Sequence, residues 1–317
     1  MTAIAQPHAP ARHAPPAPVP ISRLMAEDLR DHKTAYFMLL PSLLSFGVLV
    51  VFPLIMVIVS AFSKLDAVGR ITQFGTLANF QGLIENQYVP GVVRQTLVFA
   101  FGTVALTVVL SFPLALILNQ KFPGVTLAKA LLLLPWAAPL AITSITWRWI
   151  FHDQLGALNY VLHLIGITQQ NIAWLASANL AFPAVMFVEI WSSIPFMTIT
   201  FLAGLQAIPP HIYDAAKMDG AGLWREFWDM TVPQMKKVFM IVTLLSVIWA
   251  FRSFTVIWVV TQGGPLYRTD ISVTFLYKLA FAQVKFGQAY AIALATFLVL
   301  LVFAILYTRV LRSEEMD

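Results

Sequence analysis

The chain has 317 residues, 59% of them hydrophobic and 11% charged, with a formal net charge of +5 and no cysteine. Soluble domains carry about 25% charged residues, so this composition excludes an ordinary soluble protein and indicates one that sits in a bilayer. Disulfides, thiolate metal sites and thiol catalysis are excluded as well, and the basic residues flank apolar runs instead of forming a stripe that could hold nucleic acid.

Taken in order, residues 1–33 form a Pro/Ala/His tail with six prolines from Pro7 to Pro20. Such a segment cannot bury a core and is expected to be disordered. It lacks the apolar run of a signal peptide. The rest, 34–317, reads as one membrane domain. A hydrocarbon core about 30 Å thick needs about 20 helical residues. By that ruler six spans are expected, at 36–62, 95–118, 127–150, 181–206, 238–260 and 289–310. The predicted fold is therefore all-α and polytopic. Prolines fall inside several spans (Pro53, Pro113, Pro135, Pro139, Pro195), and membrane helices tolerate them where neighbours satisfy the freed carbonyls. The loops 63–93, 151–180 and 261–288 are long enough for short helices on the membrane face.

Orientation follows from lysine and arginine. With the N-terminus inside, the inner segments hold Arg12, Arg23, Arg30, Lys33, Lys121, Lys129, Lys217, Arg225, Lys236, Lys237, Arg309 and Arg312. The outer ones hold Lys64, Arg70, Arg268, Lys278 and Lys285. That excess places both termini and the loop 207–237 in the cytoplasm.

Motifs for chemistry are missing. There is no GxxxxGK[ST] phosphate loop, no HExxH or clustered metal-ligand set, and no GxSxG elbow. His152 and Asp153 are sequence neighbours that diverge by about 100° on a helix, which suits a capping pair better than an acid/base pair. No catalytic residue and no bound metal or cofactor is expected.

One polar stretch interrupts the apolar chain, at 214–233. Pro209 and Pro210 suit a helix start. Asp214, Ala215 and Ala216 read as a helical turn, and Gly220 and Gly222 suit a tight reversal. Leu223, Trp224, Phe227 and Trp228 place large apolar groups at helical spacing, with Pro233 closing this second short helix before the fifth span. The expected shape is a helix–turn–helix knob with an exposed acid and an aromatic underside.

The stretch resembles the EAA loop of permease subunits in binding-protein-dependent ABC importers. Asp214-Ala215-Ala216, Gly220, Met230, Val232 and Pro233 keep its spacings, with Asp for Glu, Met for Ile and Val for Leu. Met218, Asp219, Ala221 and Trp224 are similar to the sugar-importing branch. The resemblance runs over 36–310. It includes Phe74-Gly75 with Asn79-Phe80, the third-span run Leu134 to Pro139, Leu205 with Ile208-Pro209, and Thr261 to Pro265 after the fifth span. Together these resemble the maltose-type carbohydrate permeases with a type I importer fold.

That resemblance implies a bacterial cell-membrane protein importing a carbohydrate with a second homologous permease, two ATP-binding subunits carrying ATP and Mg, and an extracytoplasmic solute-binding protein. It implies that Asp214, Ala215, Ala216, Asp219, Gly220, Trp224 and Pro233 form the coupling element for the ATPase. Carried over position by position, its sugar site falls on Trp136, Leu140, Glu189, Ser192, Ser193, Phe196, Ser246, Ala250 and Ser253. The serine at 246 is kept and the family's amides are lost, which points away from maltose itself. From the residues alone, Glu189 and Arg252 stand out as intramembrane charges, either a self-neutralising ion pair or groups that face the passage. Arg252 keeps open a glycerophosphate ester or acidic sugar as cargo. An ion-coupled secondary transporter, with Glu189 as proton carrier, is the remaining alternative.

Overall fold

In the computed structural model, residues 33–313 are described. The chain divides into two compact units, Met1–Met56 and Val57–Asp317. The tail expected over 1–33 lies outside the described residues except for Lys33, which opens the first helix.

Helix α1 (Lys33–Phe46) continues through a π-helical turn, Gly47–Val51, into α2 (Phe52–Ala61). Pro53 has no N–H to give the preceding turn, and the wider turn beside it absorbs that loss. The apolar run Tyr36–Ala61 is long enough to cross a membrane. A two-stranded antiparallel hairpin follows, β1 (Ser63–Leu65) with β2 (Ile71–Phe74), and then α3 (Ala78–Ile84). Asn79 Nδ2 donates to the carbonyls of Ala61 and Ser63 at 2.9 and 2.8 Å, tying α3 to the end of α2.

The second span is α4 (Val89–Leu118). The third, expected as one span carrying Pro135 and Pro139, is sharply bent: α5 (Val125–Ala137) and α6 (Leu140–Ile150) meet at 91°. Ala138 precedes Pro139 and turns to ψ 139°, the extended conformation that a following proline ring imposes. The pair still crosses the bundle. Val125 and Ala128 pack beside Leu205, at one end of α8 (Ala181–Gln206), while Phe151 packs beside Ala184 and Val185 at the other. With α7 (Ala157–Leu164) between them on the surface, α5/α6 and α8 are the third and fourth spans.

After α8 come α9 (Pro210–Met218) and α10 (Leu223–Arg225). The second short helix does not close at Pro233 as expected. A π-helical segment, Glu226–Thr231, joins α10 to α11 (Val232–Phe251), so one apolar helix runs Leu223–Phe251. The wide turn just ahead of Pro233 accommodates its missing N–H, and Thr231 Oγ1 donates to the Glu226 carbonyl at 3.1 Å. The fifth span then breaks at Arg252 and Ser253 before α12 (Phe254–Val260). The chain ends with α13 (Ser272–Tyr277), a π-helical segment Lys278–Ala282, and the sixth span α14 (Phe286–Ser313). Among the described residues five helices are long and apolar enough to cross a membrane, six with the bent α5/α6 pair counted as one span, and one small hairpin is added.

Close helix approach depends on small residues, as in membrane bundles generally. A Cβ added at Gly204 of α8 would lie 2.9 Å from Val238 and 3.0 Å from Met235 of α11. Around that crossing Phe112, Phe201 and Phe239 form a ring cluster with centroids 4.7 to 5.5 Å apart.

The loop after α12 is polar but closed. Lys278 Nζ donates to Asp270 Oδ2 at 2.6 Å and lies 4.6 Å from the Tyr267 ring centre. Thr269 Oγ1 donates to the Gly264 carbonyl at 2.8 Å. Gly263 has φ 78°, and a side chain there would collide with the buried Asp270 carboxylate. Burial pushes the Asp270 carboxyl above its ordinary value, an effect partly offset by Lys278 and Thr274.

Candidate functional site

A polar cavity of about 410 Å³ lies where the third and fifth spans break. The α5/α6 bend contributes Pro135, Trp136, Ala138, Leu140 and Thr143, and α8 contributes Glu189, Ser192, Ser193 and Phe196. From α4 come Thr103 and Thr107, and from α11 Ser246, Trp249 and Ala250. Irregular backbone at membrane depth is tolerated where it lines such a cavity.

Within it Trp136 stacks on Phe196 at 6.1 Å with planes 26° apart, and Phe196 meets Trp249 at 5.3 Å. The three rings form an arc on one wall. Glu189 is half-buried. Ser253 Oγ donates to its Oε2 at 2.6 Å, and no protein donor reaches Oε1 among the described residues. The hydroxyls of Thr103, Thr107 and Ser192 are spent on backbone carbonyls of their own helices. Those of Thr143, Ser193 and Ser246 have no protein partner among the described residues and face the cavity. The wall thus offers flat apolar rings, free hydroxyls and one carboxylate, and no Lys, Arg or His.

Eight of the ten residues named from the sequence for the passage line this cavity: Trp136, Leu140, Glu189, Ser192, Ser193, Phe196, Ser246 and Ala250. Two do not. Ser253 sits behind the carboxylate and holds it, because the helix breaks at Arg252 and the shared face of 246 and 250 ends there. Arg252 is exposed outside the cavity and makes no ion pair with Glu189 among the described residues. Thr103, Thr107, Thr143 and Trp249 also line the wall, with Val104, Pro135, Ala138 and Met197, and the sequence reading assigned none of these to the passage. The i, i+4 threonines of an otherwise apolar span were the available signal.

At the other end of α8 the polar loop folds as a reversal. Pro210 occupies the first turn of α9, and Gly220 takes φ 77°. Inward, Ile212, Tyr213 and Phe227 pack on the core, and Tyr213 Oη lies 3.1 Å from Thr231 Oγ1. The expected aromatic underside is thus reduced to Phe227. Trp224 and Trp228 point outward, at 76% and 58% exposure, alongside Met218 and Leu223. The break between α9 and α10 rotates the tryptophans off the packed face. Asp214, Ala215, Asp219, Gly220 and Pro233 are exposed and Ala216 is buried.

Polar cavities at interrupted membrane helices are where transporters place their cargo, so the bundle defines a transport subunit with a helical loop presented beyond the bilayer. The chain belongs to the family of binding-protein-dependent transport system inner membrane components, whose profile matches residues 34–314. It is 40% identical over 288 residues to a probable ABC transporter permease protein of Brucella suis, covering 90% of this chain and 100% of that one. It is 36% identical over 220 residues to the trehalose/maltose transport system permease protein MalF of Thermococcus litoralis, covering 69% and 74%. Among solved structures, a bacterial ABC transporter involved in import of the acidic polysaccharide alginate has the same fold, with TM-score 0.80 at 21% identity over 92% of this chain and 99% of that one. The protein is an inner-membrane transport component and not an enzyme.

Proposed function

We propose that this chain is the translocating permease subunit of an ATP-driven importer and that its cargo is a neutral saccharide. The carrying observation is the cavity wall: three aromatic rings for the C–H faces of sugar rings, free hydroxyls on Thr143, Ser193 and Ser246, and one carboxylate to accept from sugar hydroxyls. Its volume falls in the 300–1,000 Å³ range of small-molecule sites. The similarity to a trehalose/maltose permease supports the same class. An acidic sugar or a glycerophosphate ester loses its support, since Arg252 lies outside the cavity and no Lys, Arg or His lines it.

In this reading both termini and the 207–237 loop are cytoplasmic, as the lysine and arginine distribution suggests. The loop docks on ATP-binding subunits that carry ATP and Mg, a homologous permease completes the passage, and an extracytoplasmic solute-binding protein delivers the sugar. Closure of the ATPase pair on ATP moves the loop and opens the cavity outward; hydrolysis resets it. The test is to purify the co-expressed complex in proteoliposomes and screen saccharides for stimulation of ATP hydrolysis. Stimulation by neutral oligosaccharides and none by uronate-containing ones is expected. Stimulation by uronates alone would overturn the neutral assignment, and uptake by this chain without ATP would overturn the importer.

A further inference from the structure

A second cavity, an open recess of about 600 Å³ with Asn119, Gln120, Lys121 and Gln206 exposed at its rim, lies at the 207–237 end of α8 and takes its wall from three of the helices that build the first. Its residues include Asn119, Gln120 and Lys121 after α4, Lys129 on α5, and Gln206 as the last residue of α8. None of these five side chains has a hydrogen bond or acidic partner among the described residues, so the cavity is rich in free donors.

The two cavities fall on the same helix faces. Lys129 and Trp136 on α5 are seven residues apart, close to two turns. Leu118 and Thr107 on α4 are eleven apart, close to three turns, and Gln206 and Ser192 on α8 are fourteen apart, close to four. With 3.6 residues per turn each pair returns to within about 40° of one face. At 1.5 Å per residue the second cavity lies roughly 10 to 21 Å along the axis from the first. Leu133, one turn beyond Lys129 and nearly one short of Trp136, falls between them along α5. By contrast, Leu127, Leu131 and Leu134 form the exposed stripe on the other side of α5, where lipid would lie.

We propose that the Lys121/Lys129/Gln206 cavity is a second, weaker station on the passage, from which the sugar is released at the coupling-loop end. The inference rests on the saccharide reading above. The chemistry of the two stations is complementary. The first offers ring faces and an acceptor; the second offers ammonium and amide donors to hydroxyl oxygens, with Phe122 its one ring. A sugar that leaves the stacked site keeps hydrogen bonds while losing stacking, so it moves on instead of being held.

The chain has no cysteine, which makes single-cysteine labelling direct. Lys129→Cys, Gln206→Cys, Trp136→Cys and Leu127→Cys are each placed in the full complex and treated with a charged, membrane-impermeant methanethiosulfonate in open membrane fragments. Labelling is read on this chain without nucleotide and after trapping with ATP and vanadate. The inference predicts several-fold slower labelling of Cys at 129 and 206 in the trapped complex, a change at 136, and no change at 127. If 136 responds while 129 and 206 behave like 127, the second station is refuted and the saccharide cavity stands. If 136 fails to respond as well, the reading of the first cavity as the passage falls with it. Gln206→Cys keeps the test decisive should Lys129→Cys fail to assemble.

Discussion

Glu189→Ala gives the sharpest test of the cavity. The carboxylate has two jobs that the structure separates. Oε2 accepts from Ser253 at 2.6 Å, and Oε1, which no protein donor reaches among the described residues, is the oxygen proposed to accept from the saccharide. Removing the side chain strands the Ser253 hydroxyl, which is only 8% exposed; an unsatisfied buried hydroxyl costs about 1–3 kcal/mol. Against a native stability of about 5–15 kcal/mol that leaves the complex assembled. The loss at Oε1 is a charge-assisted hydrogen bond to a sugar hydroxyl, about 1.5–3 kcal/mol, or roughly 10- to 150-fold in affinity at 1.4 kcal/mol per decade. Glu189→Gln keeps an acceptor for Ser253 and loses only the charge, so its affinity loss is expected to be smaller. Proteoliposome uptake should therefore rank wild type, then Gln, then Ala, with Ala lowered roughly 5- to 75-fold at saccharide concentrations near half-saturation. Size-exclusion chromatography of the complex should be unchanged. Normal uptake by Glu189→Ala in an intact complex would refute the cavity as the saccharide path.

Two further outcomes are expected. Gly220 turns the 207–237 loop, the proposed coupling element, at φ 77° with open space around its Cα. Gly220→Val therefore meets no clash and acts through the backbone, at about 1–2 kcal/mol for a left-handed L-residue; the saccharide taken up per ATP hydrolysed should fall while basal hydrolysis continues, and an unchanged ratio would sink the coupling role. At Asp270, burial raises the folded carboxyl above its unfolded value. Its ionisation therefore opposes folding: stability is greatest with the group protonated and declines as pH rises from the unfolded value of about 3.9 through the raised one. Asp270→Asn should remove that slope, read as the pH dependence of the thermal midpoint of the purified complex; parallel slopes in both proteins would show that Asp270 carries no such linkage.

Much of the architecture is legible in the sequence because bilayer thickness is a hard ruler. Apolar length alone finds six spans. The reversal at Gly220 and the helix start at Pro210 follow from backbone chemistry that needs no tertiary context. The breaks are different. Leu134 precedes Pro135 and stays helical, whereas Ala138 precedes Pro139 and turns extended, so the same local rule has two outcomes decided by packing against α8. The break at Arg252 and Ser253 has no proline or glycine to announce it; Ser253 instead bonds Glu189, a residue 64 positions away in sequence. The fifth span likewise begins fifteen residues early, because the π-helical segment before Pro233 lets a proline sit inside a helix that a simple stop rule would end.

The geometry also constrains how motion at the loop could reach the cargo. Helix α8 is unbroken from Ala181 to Gln206, even across Pro195, where Ser111 Oγ of α4 donates to the Ile194 carbonyl at 3.3 Å. It carries Glu189 in the cavity and ends at the coupling loop, about 25 Å away at 1.5 Å per residue. Gly204 seats it against Met235 and Val238 of α11, leaving no gap to absorb a small displacement. The helices opposite Glu189 are the two that break, α5/α6 at Ala138 and α11/α12 at Arg252. A push at the loop on α8 and α11 together therefore meets stiffness along α8 and compliance at both breaks. Those breaks are where the wall carries Trp136, Leu140, Trp249 and Ala250. The compliant points coincide with the residues proposed to contact the saccharide, so in that reading a displacement too small to unpack the bundle would reshape the cavity.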